Sequence, residues 1–128
     1  AVTAGTVLVV DDNAINRKVA SALLAKSGVG VATADNGQAA VSAATGENRP
    51  SLILMDIQMP ILDGFAATAR IRDWEAQTGA PRLPIVALTA DVFAEDRERC
   101  LAAGMDDFLA KPIQAEALNG VVARWLQA

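Results

Sequence analysis

Five residues of this sequence could carry out phosphoryl chemistry if the fold brings them together. Three are carboxylates: the adjacent pair Asp11 and Asp12, and Asp56, which ends the apolar run in LILMDIQMP. Thr89 and Lys111 follow two further apolar runs. Clustered carboxylates repel one another unless a cation compensates, and Mg²⁺ prefers oxygen ligands of this kind. Asp56 could then accept a phosphoryl group as an acyl phosphate, while Lys111 and Thr89 contact its oxygens.

Each of these residues also has a purely structural explanation. Asp12 or Asn13 could cap the first helix, and Asp56 could close a turn. Thr89 could cap a later helix, and Lys111 could be an ordinary surface amine. Separate structural roles do not explain why all of these residues follow apolar runs, so their joint placement favours a shared site.

Five short apolar runs predict strands, and helical patterns lie between them. The predicted strands span residues 7–10, 29–34, 52–55, 85–88 and 107–110. The predicted helices span residues 15–26, 36–44, 64–76, 91–103 and 113–126. Gly28 and Gly104 occupy positions typical of helix C-terminal caps. The nearly unbroken apolar character of the runs predicts strands that are buried on both faces of a parallel sheet.

This alternation predicts a single α/β domain over residues 1–128. Right-handed crossovers favour a flavodoxin-like, doubly wound sheet of five parallel strands in the order 2-1-3-4-5, with five helices. Ligands of such sheets bind beyond the carboxyl ends of the strands, at the switch point between strands 1 and 3. Asp11, Asp12 and Asp56 lie at the ends of these two strands, so the fold predicts that they meet.

The composition restricts the classes of function. The chain of 128 residues has a formal net charge of -4, is 52% hydrophobic and 20% charged, and contains no histidine and one cysteine, Cys100. An acidic chain is a poor ligand for nucleic acid, and the lack of histidine excludes Ser-His and Cys-His catalysis. A lone cysteine forms no internal disulfide, and no apolar run approaches the roughly 18 residues of a membrane span. We therefore expect a soluble cytoplasmic protein without direct contact to membranes or nucleic acid.

The residues after Asp56 explain how the strand ends. Pro60 has no amide hydrogen and a fixed φ, so it stops strand pairing and turns the chain. Asp63-Gly64 then forms the turn into the third helix. The intervening loop leaves the backbone carbonyl of Gln58 free to face a metal ion.

The motifs, taken together, resemble the receiver domain of two-component response regulators. They are VLVVDDNAINRKVA, LILMDIQMPILDGF, IVALTAD and MDDFLAKPI, and they cover essentially the whole chain in order. The segments DDNAINR, MDIQMPILDG and FAEDRERCLAAGMDDFLAKPI are most similar to receivers of hybrid sensor histidine kinases.

The resemblance implies a role for each acid of the predicted site. Asp56 is implied to be the phosphoacceptor. Asp12 is implied to bind Mg²⁺ directly, Asp11 to act largely through water, and the Gln58 carbonyl to be a further ligand.

The resemblance also implies a conformational switch. Thr89 corresponds to the switch hydroxyl and Lys111 to the lysine that binds the phosphoryl group, with a cis peptide before Pro112. Phe108 matches the switch aromatic, which turns inward when Thr89 moves towards the phosphoryl group. The alternative for Phe108 is a core residue of strand 5.

The same family also indicates residues that affect hydrolysis of the phosphoryl group and residues that dock the partner. Gln58 and Asp91 are expected to flank the path of the water that hydrolyses the phosphoryl group, and an acid at 91 could either orient or repel that water. Ile15, with Ala22 and Leu23, could dock a histidine-bearing helical bundle. These residues could equally belong to the core, because an amphipathic stripe usually faces the sheet.

The implied function is that of a phosphoacceptor in a phosphorelay. The domain would take a phosphoryl group from the phosphohistidine of a histidine kinase or histidine phosphotransfer domain onto Asp56, with Mg²⁺. It would then switch its helix 4–strand 5–helix 5 face and lose the group by autodephosphorylation. We expect a signalling domain rather than an enzyme with a separate substrate, either free in the cytoplasm or as part of a membrane-tethered sensor kinase.

Two alternatives belong to other classes. A Mg²⁺-dependent phosphohydrolase of the haloacid dehalogenase kind places its nucleophile on the first strand, with a second acid two residues later. Here Asn13 stands two residues after Asp11, and Ala14 two after Asp12, which disfavours that reaction. A degenerate receiver that acts only as a binding module is disfavoured by the complete set of site residues.

Overall fold

The computed structural model describes residues 5–47, 49–89, 94–111 and 113–126, and within them strands and helices alternate strictly. In chain order the elements are β1 Thr6–Val10, α1 Ala14–Ala25, β2 Gly30–Ala34, α2 Gly37–Ala44, β3 Leu52–Asp56, α3 Gly64–Thr78, β4 Ile85–Thr89, α4 Ala94–Ala102, β5 Asp107–Ala110 and α5 Ala115–Leu126. Among the described helices, none combines the length and the apolar character that crossing a bilayer requires.

The five strands form one parallel sheet in the order β2-β1-β3-β4-β5, as predicted. The register aligns the carboxyl ends of neighbouring strands. Val10 pairs with both Ala34 and Met55, and Thr89 pairs with Ala110. Residues that end or follow these strands therefore lie at one edge of the sheet.

The sheet lies between two apolar layers. One face packs on α1 and α5 and contains buried residues such as Leu24, Leu118 and Val122. The other face packs on α2, α3 and α4 and contains residues such as Ala40, Ile71 and Cys100. The central strand β3 is buried along its whole length, which fixes the backbone that carries Asp56.

The prediction that every strand is buried on both faces is wrong for the two edge strands: β5 has one buried residue, Leu109, and β2 has none. Only Val31 and Ala34 of β2 are partly buried, and the other three residues are exposed. The reason is its position: β2 is an edge strand with one neighbour, and its small residues leave part of each face open to solvent. Its apolar composition alone did not reveal this.

The helix ends follow local side-chain chemistry. Asn13, rather than Asp12, caps α1, because its side chain accepts hydrogen bonds from the amides of Ile15 and Asn16. Helix α3 runs to Thr78, two residues beyond the predicted end, and stops where Gly79 adopts a φ of 73°. Helix α5 begins at Ala115, two residues after the predicted start.

Five charged residues form an ion-pair network, called here the amino-end network, at the amino ends of β3, β4 and β5. They are Arg49, Arg72, Glu75, Arg82 and Asp106. The Glu75 carboxylate accepts from Arg49 at 2.7 Å, from Arg72 at 2.9 Å and from the backbone amide of Leu83 at 2.8 Å. The Asp106 carboxylate accepts from Arg72, from Arg82 and from the amide of Ile85. The network ties α3 to the segments that enter the strands.

Candidate functional site

The carboxyl edge of the sheet collects acidic groups from β1 and β3 and a cation from the end of β5. Asp11 directly follows β1, and its amide donates to the Ala34 carbonyl of β2 at 3.1 Å. Asp56 is the last residue of β3. Lys111 follows β5, and its amide donates to the Thr89 carbonyl at 2.8 Å. Strand pairing thus holds the backbone of each residue before any side chain is considered.

The side chains of these residues meet. The Lys111 ammonium lies 3.1 Å from Asp56 Oδ1 and 3.3 Å from Asp11 Oδ2. Asp11, Asp12 and Asp56 each offer one carboxylate oxygen within 4.8 Å of the others. We call these four residues the carboxyl-end cluster. A set of close carboxylate oxygens is the donor set that hard divalent cations prefer.

Asp11 is held by four donors. Its Oδ1 accepts from the amide of Asn13 at 2.9 Å, and its Oδ2 accepts from Asn16 Nδ2 at 3.2 Å as well as from Lys111. Its backbone carbonyl accepts from Arg17 Nη1 at 2.7 Å. Asp11 is 1% exposed, so these contacts replace the water that its carboxylate would otherwise bind.

Asp12 has the opposite environment. Its side chain is exposed, and it forms no hydrogen bond or ion pair with any residue that the structure describes. It lines an open cleft of about 670 Å³ together with Asp56, Thr89 and Lys111. Asp12 can therefore give both carboxylate oxygens to a cation, whereas Asp11 is already engaged.

Asp56 is buried except for the part that faces this cleft, with 5% of its surface exposed. Its Oδ1 accepts from the backbone amide of Gln58 at 3.2 Å, so the turn predicted at Asp56 and the ion pair with Lys111 coexist. Burial raises the pKa of the Asp56 carboxyl above its ordinary value of 3.8, the Lys111 ammonium opposes this shift, and the Asp11 carboxylate adds to it.

The pKa of Lys111 is also raised from its ordinary value of 10.5. Burial favours the neutral amine, but the hydrogen bond and charge of Asp56 and the charge of Asp11 outweigh burial. The amine therefore stays protonated at neutral pH, which makes Lys111 a fixed positive charge beside the Asp56 carboxylate. It is not an ordinary surface amine.

The loop after Asp56 turns sharply within a few residues. The Leu62 amide donates to the Pro60 carbonyl at 2.7 Å, and Ile61 between them has a φ of 70°. The Gly64 amide then donates to the Ile57 carbonyl at 2.9 Å. Gly64 is required here, because a Cβ atom at this position would lie 2.4 Å from the Asp56 carbonyl oxygen.

Of the remaining predicted site residues, some line the cleft and one packs against the core. Gln58 is exposed at the cleft, and Thr89 lines the cleft while being 8% exposed. Phe108 is half-buried, packs against the core on the α3 side of the sheet, and lies 4.6 Å from the Arg97 guanidinium. Asp91 and Pro112 lie outside the described residues.

The residues that could dock a helical bundle differ in their exposure to solvent. Ile15 is 70% exposed, so its alternative as a core residue is wrong. Ala22 is also exposed, whereas Leu23 is half-buried and packs against the core. The exposed part of the stripe continues at Val19, which is 44% exposed. The first helix, which follows Asp11 and Asp12, thus presents apolar side chains to solvent.

Sequence reasoning missed several residues of the site. Asn16 and Arg17 hold Asp11 in place, and Phe65 and Arg99 line the cleft. The signal for Asn16 and Arg17 was present, because they lie in the first turn of the helix that follows Asp11. Nothing local indicates that Arg99 faces the site, since its direction depends on how α4 packs.

Comparison with known proteins identifies the family. A profile of the response regulator receiver domain matches residues 7–123. The sensor protein GacS of Pseudomonas syringae pv. syringae is 46% identical over 119 residues, which are 93% of this chain and 13% of that protein. The chain thus spans only a small part of the length of this relative.

Solved structures agree in sequence and in fold. One is the receiver domain of sensor histidine kinase PA1611 from Pseudomonas aeruginosa PAO1, which has a magnesium ion in its active site cleft. It is 41% identical in sequence, and it superimposes with a TM-score of 0.84 over 98% of this chain and 99% of that chain. Another is a co-crystal structure from Saccharomyces cerevisiae that contains the histidine phosphotransfer protein Ypd1 and the receiver domain of Ssk1. The match has 35% identity and a TM-score of 0.90, and it covers 96% of this chain and 89% of that chain. The chain belongs to the response regulator receiver domain family, as its motifs predicted, and its relatives include the receivers of sensor histidine kinases.

Proposed function

We propose that this chain is a phosphorelay receiver in which Asp56 accepts a phosphoryl group from a partner phosphohistidine. The observation that carries the proposal is the ion pair of Lys111 with Asp56, which lies beside Asp11 and Asp12 at an open cleft. The proposed unit of function is one receiver domain over residues 1–128.

The acids fit a bound Mg²⁺ ion. Within the carboxyl-end cluster, three carboxylates face one ammonium group, so an additional cation would relieve their repulsion. Asp12 is proposed as a direct ligand because its carboxylate is exposed and unpaired among the described residues. Asp11 would act through water, Asp56 through its second oxygen, and Gln58 through its backbone carbonyl. The ion would neutralise charge on the phosphoryl oxygens.

The proposed transfer step uses the remaining residues directly. A carboxylate oxygen of Asp56 attacks phosphorus, the bond between phosphorus and the donor nitrogen breaks, and its electron pair returns to the imidazole. The Lys111 ammonium lies 3.1 Å from Asp56, where it can move onto a phosphoryl oxygen as the carboxylate charge is lost. Thr89, on the wall of the cleft, would donate its hydroxyl hydrogen to another phosphoryl oxygen.

The same geometry supports a switch and a limited lifetime of the phosphoryl group. Thr89 would move towards the phosphoryl group while Phe108 turns further inward, which changes the face formed by α4, β5 and α5. Autodephosphorylation would follow when water attacks phosphorus and the bond from phosphorus to the Asp56 oxygen breaks, with Gln58 beside the path of the water. The family resemblance implies the same role for Asp91. The proposed location is the cytoplasm, free or within a sensor kinase.

The phosphohydrolase alternative receives no support from the first strand. Of the two acids that follow β1, Asp11 already has both carboxylate oxygens engaged by Asn13, Asn16 and Lys111. The other, Asp12, lacks the second acid that this chemistry needs two residues later, where Ala14 stands. The binding-module alternative is disfavoured because Asp56 and Lys111 are paired beside a cleft that a donor can enter.

Intact-protein mass spectrometry tests the proposal. After incubation with acetyl phosphate and Mg²⁺, the wild type should gain the mass of one phosphoryl group, and Asp56→Asn should gain none. Labelling that persisted in Asp56→Asn would sink the assignment. With a phosphorylated histidine phosphotransfer protein as donor, Ile15→Glu should slow labelling while leaving the acetyl phosphate reaction unchanged, because Ile15 is exposed on the helix that follows Asp12 but does not line the cleft.

A further inference from the structure

The lining of the cleft includes a second cation, Arg99 of α4, together with the predicted site residues. Its guanidinium carbon lies 4.9 Å from the centroid of the Phe65 ring. None of the ion pairs formed among the described residues includes Arg99. Arg99 therefore presents a positive charge to the cleft that no neighbouring acid in this part of the chain neutralises.

The aromatic ring that supports Arg99 has a fixed position relative to Asp56. Phe65 follows Gly64, whose amide donates to the Ile57 carbonyl and whose backbone packs directly on the Asp56 carbonyl. The start of α3 is thereby joined to the end of β3. A guanidinium stacked on an aromatic face keeps its N–H donors available at its edge. The orientation of Arg99 towards the cleft is thus partly set before any ligand arrives.

The charges around the cleft give Arg99 a distinct role. The lining includes the acids Asp12, Asp56 and Asp63, and the cations Lys111 and Arg99. Lys111 is already engaged by two carboxylates of the carboxyl-end cluster. Of the described cations that line the cleft, Arg99 is therefore the one that an incoming anion meets without competing with an existing ion pair.

We propose that Arg99 recognises small anionic phosphodonors, in particular acyl phosphates, and so accelerates phosphorylation of Asp56 in the absence of a protein donor. This inference rests on the proposed phosphoacceptor function. In the reaction a carboxylate oxygen of Asp56 bonds to phosphorus, and the bond from phosphorus to the donor's carboxylate oxygen breaks. The electron pair leaves with the carboxylate product, so no proton transfer is needed. Arg99 donates hydrogen bonds to oxygens of the donor during its approach.

The rate of Asp56 phosphorylation by acetyl phosphate, followed by intact-protein mass spectrometry at saturating Mg²⁺, tests this role. Arg99→Ala should lower the second-order rate constant about fivefold, the upper end of what one exposed charged contact contributes. Arg99→Lys should retain part of the rate because it keeps the charge. The difference between wild type and Arg99→Ala should shrink as salt is raised, since screening weakens exposed charges.

Arg70→Ala is the matched control. Arg70 is an exposed arginine of α3 that donates to Gln38 Oε1 and does not line the cleft. This variant removes the same charge and should keep a rate within about twofold of the wild type. An equal fall in both variants would overturn the proposal, because the effect would then come from net charge.

The failure of this inference is distinguishable from failure of the proposed function. If wild type and Arg99→Ala are labelled at the same rate, Arg99 has no role in donor recognition while Asp56 remains the acceptor. If a phosphorylated histidine phosphotransfer protein labels the wild type but acetyl phosphate does not, only this inference fails, and if neither donor labels it, both proposals fail. Circular dichroism and the unfolding midpoint in urea establish that each variant is folded before rates are compared.

Discussion

The two ends of the sheet carry charge clusters of opposite character. In the amino-end network, two carboxylates are bound by three guanidinium groups and two backbone amides. The carboxyl-end cluster contains three carboxylates and one ammonium group, which pairs with two of them. One end is balanced by the protein itself, and the other has an excess of negative charge.

The pKa shifts of one acid from each end express this difference. Burial would raise the pKa of Glu75, but hydrogen bonds from the Leu83 amide, Arg49 and Arg72 bring it below its ordinary value of 4.5. The pKa of Asp56 is raised, because burial outweighs the attraction of Lys111. The fold therefore stabilises the ionised form of Glu75 at the amino end and destabilises the ionised form of Asp56 at the carboxyl end. The carboxyl end is where a cation and a phosphoryl group are proposed to bind.

Breaking the balanced end should have the largest effect on stability. Glu75→Gln removes the charge that pairs with Arg49 and Arg72, and both guanidinium groups are at most 18% exposed. We expect the free energy of unfolding at pH 7 to fall by about 3 kcal/mol, as when one partner of a buried ion pair is removed. Urea unfolding followed by circular dichroism measures this change.

The pH dependence of that effect has a defined sign. Because the pKa of Glu75 is lowered by folding, its contribution is present above the ordinary value of 4.5 and is lost as the pH falls through the folded-state value. The difference in the free energy of unfolding between wild type and Glu75→Gln should therefore become smaller at acidic pH. The exposed Glu47 gives the control, since Glu47→Gln should change stability by less than about 0.5 kcal/mol. A loss as small as this for Glu75→Gln would contradict the importance assigned to the network.

Binding of Mg²⁺ at the carboxyl-end cluster should change the free energy of unfolding by less than the loss of Glu75 does. Mg²⁺ at ten times its dissociation constant should raise the free energy of unfolding of the wild type by about 1.4 kcal/mol. Asp12→Asn should lose most of this gain, because Asp12 is the exposed acid of the carboxyl-end cluster and the proposed direct ligand. Asp73→Asn, which removes an exposed acid of α3, should keep it. Equal stabilisation of both variants would argue against a metal site at Asp12.

The carboxyl-end cluster was predictable because parallel strands align their ends. Apolar runs marked β1, β3, β4 and β5, and the residues after them had to share one edge of the sheet. The strand order and the meeting of Asp11, Asp56 and Lys111 followed from this rule. The capping of α1 was not resolved by sequence, since Asp12 and Asn13 are both good cap residues and only backbone geometry chooses between them.

The amino-end network and the wall of the cleft were not predictable in the same way. Two elements of the chain, β4 and α4, lie between Glu75 and Asp106. Their shared partner Arg72 becomes evident only when α3 lies beside the segments that enter β4 and β5. Arg99 faces the cleft because of the rotation of α4 about its axis, which tertiary packing determines. Local sequence patterns contain no direct signal for either arrangement.

The sign of the stability change in Asp56→Asn, measured by urea unfolding at pH 7 in EDTA, tests the central comparison most directly. A raised folded-state pKa means that the Asp56 contribution is favourable only below the ordinary value of 3.8 and is lost as the pH rises through the folded-state value. At pH 7 the ionised carboxylate should therefore destabilise the fold, and Asp56→Asn should raise the free energy of unfolding by about 1 kcal/mol. A decrease, in the same direction as Glu75→Gln, would contradict the account of a strained carboxyl end and a balanced amino end.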